Sequence, residues 1–185
     1  MLLAAAFALT TVLATGTRTV PLPAPGHSSP CSRRVPACPS RGTQDLGIAV
    51  GEPAPGGPLE TLDGKTVDLA AYLGKQPVVL EFWATWCGNC KQLEPAMRKA
   101  MATHGKQVRF VTIAVSINQS VERVKAWLAQ HPLPGDMVYD RKGVVSGAYD
   151  APATSYVVVI NRQGKVVYTG LGGTQNLDAA IRKAL

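Results

Sequence analysis

The stretch PVVLEFWATWCGNCKQLEP, Pro77 to Pro95, decides how the rest of the chain is read. Its first seven residues are apolar, β-branched or aromatic apart from Glu81, and they have the length of a buried strand. From Cys87 to His104 the pattern becomes helical, with Leu93, Met97 and Met101 on one stripe. Cys87 and Cys90 therefore fall where a strand gives way to a helix. Thiols at i and i+3 on a first helical turn share a face and can close a disulfide with little backbone movement. The free N–H groups and partial positive charge of the helix start favour a thiolate there. Cys87, nearest that end, is expected to be the more exposed, attacking thiol, with a pKa below the ~8.5 of free cysteine. Cys90, one turn in, is expected to be buried and to resolve the exchange.

Acids stand close to this pair. Glu81 precedes Cys87 by six residues inside the apolar strand, sharing a face with Trp83, while Leu80 and Phe82 take the other. Burial there predicts a raised pKa and a proton acceptor for Cys90; the competing reading is a strand-edge residue reaching solvent. Glu94, one helical turn after Cys90, either tunes the thiols or is a solvated helix residue. Pro95 removes a helix hydrogen bond and predicts a kink. Trp83 and Trp86 are expected to pack around the cysteines, and Trp127 to serve the core. A zinc site would need two more ligands. Cys31 and Cys38, six residues apart in a Pro-rich stretch, and His104 and His131 make a poor second half.

Working outward, Leu59–Leu62 and Thr66–Leu69 flank Asp63-Gly64, a hairpin signal. Strands are expected at Val108–Val115, Met137–Tyr139, Tyr156–Ile160 and Lys165–Thr169, the last two turned at Asn161–Gly164. Helices are expected at Val121–Gln130 and Leu177–Leu185. Strands alternating with helices predict an α/β domain, a central mixed sheet with helices on both faces.

The N-terminal part reads differently. Residues 1–16 are uncharged and rich in Leu and Ala, the length of a signal-peptide apolar region, with Ala14 and Gly16 as a small-x-small cleavage pattern but no basic residue before it. Nine of the fourteen prolines lie between Pro21 and Pro58, so residues 17–50 are expected to be a flexible tether and 51–185 the domain. Cys31 and Cys38 either pair in the tether or stay free, and Ser28-Ser-Pro-Cys31 matches lipoprotein signals poorly. The 185 residues suit one domain, and four cysteines are too few for a disulfide scaffold. No run reaches the ~18 apolar residues of a membrane span. The charge of +7 is scattered and only 6% of residues are aromatic, which argues against nucleic acid as a partner.

WATWCGNCKQLEP resembles the active-site segment of thioredoxin-fold proteins, with Glu81 where thioredoxins carry their buried acid. The preceding GEPAPGGPLETLDGKTVDLAAYLGKQPVVLEFWATWC is similar to the TlpA/ResA group of exported thiol:disulfide oxidoreductases. The resemblance runs from about Gly51 to the C-terminus. It implies a thioredoxin-like fold with an added N-terminal β-hairpin. The Glu81 and Glu94 pair also resembles the two acids in the C-terminal domain of the transmembrane thiol:disulfide interchange protein. The inner residues Gly88 and Asn89 are expected to tune the potential, and Asn89 stands where thioredoxins have Pro. The family's cis-proline, which lies opposite the disulfide and pairs with substrate, falls on Pro152, with Thr154-Ser155 as the other candidate for that place. Trp86 and Pro152 are then substrate-binding residues.

The resemblance further implies a reductase of exported proteins, with apocytochrome c among the candidate substrates. It would act in the periplasm or cell envelope as a monomer, be recharged by a membrane thiol donor, and need no cofactor beyond the Cys87–Cys90 disulfide and no metal. Two other readings stand beside it. One is a thiol peroxidase, with which the N-terminal hairpin is compatible, although Thr85 stands two residues before Cys87 where peroxiredoxins carry T-x-x-C. The other is a copper-handling module, which would need a well-placed histidine.

Overall fold

A computed structural model describes residues 47–133 and 135–185. The expected signal segment, nearly all of the tether, and Cys31 and Cys38 lie outside the described residues. In chain order the strands are β1 (Pro58–Thr61), β2 (Thr66–Asp68), β3 (Val78–Trp83), β4 (Arg109–Val115), β5 (Asp136–Asp140), β6 (Tyr156–Ile160) and β7 (Val166–Leu171). The helices are α1 (Gly88–His104), α2 (Val121–Gln130), α3 (Val144–Ala148) and α4 (Leu177–Arg182), with a 3-10 turn at Leu69–Tyr72.

These strands form one seven-stranded mixed sheet in the order β2-β1-β5-β4-β3-β6-β7. The run VVLEFW becomes its central strand because every one of its six residues is buried. β3 is parallel to β4, from Val78 opposite Arg109 to Trp83 opposite Ala114, and antiparallel to β6, with Phe82 opposite Tyr156. The β1–β2 hairpin adds to the outer edge through β5. Its turn holds Gly64 at φ 88°, a left-handed conformation that glycine adopts without strain.

Period-two alternation splits the core between the two faces. Leu80, Phe82, Val111 and Ile113 pack with Val124 and Tyr149 on one side. Val79, Phe110, Val157 and Val159 pack with Leu93, Met97, Leu177 and Ile181 of α1 and α4 on the other. Phe82 lies 5.7 Å from the rings of both Tyr149 and Tyr156, filling the first side.

Several details depart from the sequence expectation. α3 carries no helical repeat long enough to read; it is held by Asp140, whose Oδ2 accepts from the Ser146 N–H and Oγ–H at 2.7 Å each. α4 stops at Arg182, short of the expected Leu185. Backbone pairing with the domain begins before Gly51, since the Ile48 N–H donates to the Tyr149 carbonyl at 3.0 Å.

Candidate active site

β3 ends at Trp83, and Ala84-Thr85-Trp86 turns the chain into α1. The Cys87 N–H donates to the Ala84 carbonyl at 3.1 Å, closing that turn. Cys87 is the N-cap of α1, in an extended conformation, and its Sγ accepts the Cys90 N–H at 3.0 Å. A backbone donor aimed at the sulfur, at the positive end of a 17-residue helix, stabilises a thiolate there. The two cysteines are joined, with Cα atoms 5.3 Å apart.

Cys87 was expected to be the more exposed thiol, and the structure differs: Cys87 is 3% exposed and Cys90 2%. The cap geometry explains this, because the Cys87 side chain turns inward to meet the Cys90 N–H and sulfur. Exposure passes instead to Trp86 at 43%, beside the exposed Gly88 and Asn89. A Cβ on Gly88 would meet nothing within 4 Å, so packing does not require glycine there.

The loop is fastened from the far side by residues that no local pattern announced. The Thr85 N–H donates to Gln119 Oε1 at 2.9 Å, and Gln119 Nε2 donates to the Val115 carbonyl at 2.6 Å. The Tyr139 hydroxyl donates to the Gln119 carbonyl at 2.9 Å. Trp86 Nε1–H donates to the Ile117 carbonyl at 2.9 Å, placing its indole beside a second exposed apolar residue.

Glu81 is buried, at 5% exposure, as the strand alternation predicted. Burial pushes its carboxyl up to about 8, and the negative charge of Glu94 adds to the rise. Glu81, Trp83, Cys90, Glu94 and Arg98 line one small cavity of about 10 Å³, about the space of a single water. The structure thus joins Glu81, Cys90 and Glu94 in one place. Arg98, which the sequence reading passed over, pairs with Glu94 at 2.6 Å. An i,i+4 Glu–Arg pair is a visible signal, but it usually marks only a solvated helix face.

Pro152 does not take the expected form. All peptide bonds among the described residues are trans, and Pro152 is exposed. Ser155 enters β6 beside β3 instead, fully buried at φ 66°, with its N–H donating to the Phe82 carbonyl at 2.7 Å. Its Oγ–H donates to the Gly172 carbonyl at 3.1 Å, and its carbonyl accepts from Gln175 Nε2 at the same distance. Three bonds over-determine this residue and hold it in a conformation that L-residues seldom adopt. The histidines are used elsewhere. His104 ends α1 with Nε2 2.8 Å from Asp178 Oδ1, and His131 stacks on Trp127, their ring centroids 4.5 Å apart.

The chain is similar to known proteins. The thioredoxin-like protein YneN of Bacillus subtilis is 30% identical over 66% of this chain and 72% of its own length. The thiol-disulfide oxidoreductase ResA of Geobacillus thermodenitrificans is 32% identical over 67% of this chain and 70% of its own. The crystal structure of a thiol:disulfide interchange protein of the thioredoxin family from Chlorobium tepidum superposes with a TM-score of 0.60 at 25% identity, covering 74% of this chain and 98% of that one. The fold is thioredoxin-like, with the β1–β2 hairpin added at one edge of the sheet. Residues 50–169, well over half the chain, match the AhpC/TSA family, and the protein belongs to that family alongside relatives named as thiol-disulfide oxidoreductases.

Proposed function

We propose that the protein is a thiol:disulfide oxidoreductase that reduces disulfides of exported proteins by dithiol exchange. The observation that carries this is the Cys87–Cys90 disulfide capping α1 directly above a buried carboxyl. In the reduced protein the Cys87 thiolate, held by the Cys90 N–H and the helix start, attacks one sulfur of a substrate disulfide. A mixed disulfide forms and the other substrate sulfur leaves as a thiolate. Cys90 then gives its proton to Glu81 and attacks Cys87 Sγ, releasing the second substrate thiolate and closing the disulfide. A carboxyl pushed up to about 8 holds a proton far more tightly than an ordinary carboxylate, which suits it to take one from a thiol.

Trp86, exposed beside the disulfide, offers apolar surface to the substrate chain, and the Pro152–Ser155 segment, which enters β6 next to the end of β3, is the other contact. Gly88 and Asn89 set the potential from the first turn. The apolar residues 1–16 and the Pro-rich 17–50 support work in the periplasm or cell envelope, and apocytochrome c is one substrate of the right chemistry. No cofactor beyond the dithiol enters the cycle, a membrane thiol protein restores the reduced state, and the protein acts as a monomer.

Reduction of insulin disulfides tests the activity. The wild-type protein should turn over with a thiol donor, and Cys90→Ser should trap substrate as a mixed disulfide on Cys87. Failure to reduce a protein disulfide, or a reduction potential near that of strong oxidants, would overturn the reductase reading. Peroxide turnover by Cys90→Ser would move it to a thiol peroxidase.

A further inference from the structure

Glu81 raises a question that the exchange chemistry leaves open. It is buried, so a proton taken from Cys90 has to leave before the next cycle. The cavity beside it is lined by two charged side chains that reach solvent. Glu94 lines the cavity with its side chain 27% exposed, and Arg98 lines it at 45%. Arg98 Nε and Nη2 both donate to Glu94 Oε1, at 2.8 and 2.6 Å, and Nη2 also donates to the Pro132 carbonyl at 2.6 Å. One guanidinium therefore ties α1 to the segment between α2 and β5, across the mouth of the cavity. Both of its contacts with Glu94 fall on Oε1.

We propose that Arg98 is a positioning residue of the redox reaction: it locks Glu94 at the cavity mouth, where Glu94 hands to solvent the proton that Glu81 accepts from Cys90. The proposal rests on the dithiol exchange described above. Cys90 S–H loses its proton to the Glu81 carboxylate, and the thiolate breaks the mixed disulfide. The protonated Glu81 then passes the same proton to Glu94, and Glu94 releases it to water.

The surroundings favour this route. β3 contributes Glu81 to the cavity, and α1 contributes Cys90, Glu94 and Arg98. β4 contributes only Thr112, itself buried, and the segment before β5 contributes Leu133. His131, beside Pro132, is turned onto Trp127. Glu94 is thus the partly exposed acid among the residues that line the cavity, and its charge is felt at Glu81.

The test separates this device from the activity itself. In the full chain with Cys31, Cys38 and Cys87 replaced by Ser, Cys90 is the single thiol and its ionisation can be followed by ultraviolet thiolate absorbance. Glu94→Gln leaves Arg98 uncompensated and should lower the midpoint by about 1 pH unit. Arg98→Gln leaves Glu94 uncompensated and should raise it by a similar amount. Arg98→Lys, which keeps the charge, should recover most of the wild-type midpoint. Unchanged midpoints, or shifts of the same sign in both glutamine variants, would overturn the proposal.

The relay has its own readout. Single-turnover reduction of insulin by the two-cysteine protein should slow at least about 10-fold in Glu94→Gln and recover on addition of formate. Full rate in Glu94→Gln would also overturn it. Failure of the wild-type protein to reduce insulin strikes the activity alone, because the thiol titration still reads the Arg98–Glu94 lock.

Discussion

At the residue scale, the buried Glu81 carboxyl sets a pH dependence whose sign can be worked out. Its ordinary value is 4.5 and the folded protein holds it at about 8. Between those values the native state keeps a proton that the unfolded chain has released. Stability therefore falls as pH rises through this window, and the loss is complete above about 8. The shift corresponds to a few kcal/mol, at ~1.4 kcal/mol per unit. Glu81→Gln removes the penalty. Its stability gain should be small near pH 4 and grow to a few kcal/mol by pH 8, measured as the urea midpoint at both ends. The same variant should resolve the mixed disulfide more slowly. Equal gains at the two pH values would mean that the carboxyl is not desolvated.

The place of Glu81 was readable because strand alternation and the six-residue offset from Cys87 are local signals. The coverage of Cys87 was not, since it depends on the cap turning its sulfur inward. Ser155 was readable only as the alternative to Pro152, because its partners Phe82 and Gly172 lie far along the chain.

At the scale of elements, the redox loop depends on the segment that follows β4. Gln119 is 34 residues from Thr85, and its single amide bridges the Thr85 N–H and the Val115 carbonyl. Asn118 beside it takes φ 54°, so the segment is bent to present that amide. Gln119 is 8% exposed, and removing its amide takes the acceptor from the buried Thr85 N–H and a donor from the buried Val115 carbonyl. Gln119→Leu should cost roughly 2–4 kcal/mol, counting about 1–3 kcal/mol for each orphaned group less what the added apolar burial returns. Its redox effect should exceed that of a remote core substitution of equal cost. The loop that carries Trp86 loosens, so KM for insulin should rise more than kcat falls. A variant that loses stability with KM unchanged would show that Gln119 serves packing alone.

β3, α1, α2 and the β6–β7 hairpin were legible because each announces itself by periodicity or a turn. The Gln119 clamp and α3 were not. A polar side chain bonding to distant backbone leaves no periodic trace, and α3 is a short segment fixed mainly by Asp140.

At the scale of the whole domain, residues 48–57 form a strap that joins the two edges of the sheet. At one edge the Gly51 N–H donates to the Val166 carbonyl and the Ala54 N–H to the Gly164 carbonyl, both at 2.8 Å, while the Val166 N–H returns a bond to the Glu52 carbonyl at 3.0 Å. The strap then passes Tyr149, whose hydroxyl donates to the Pro55 carbonyl at 2.9 Å. At the other edge the Gly57 N–H donates to Asp68 Oδ1 at 3.0 Å, and the Gly57 carbonyl accepts from Leu69 N–H at 2.9 Å. Starting the domain at Gly51 anticipated part of this, but composition alone does not show the bonds, because Pro and Gly in a linker look alike whether or not their backbone finds partners. The strap meets β7 through the backbone of Val166 and β2 through the side chain of Asp68, and these are the outermost strands of the sheet. A chain beginning at Gly47 should keep the full urea midpoint and the full insulin rate. A chain beginning at Pro58 loses every bond just named, and at about 1 kcal/mol each it should lose roughly 4–6 kcal/mol. That is comparable with the whole stability of many domains. Adding back a peptide of residues 47–57 should raise the midpoint of the shortened chain, because its partners on β7, Tyr149 and Asp68 remain in place. If the shortened chain matched the longer one, the strap would be a passenger on a sheet that closes its own edges.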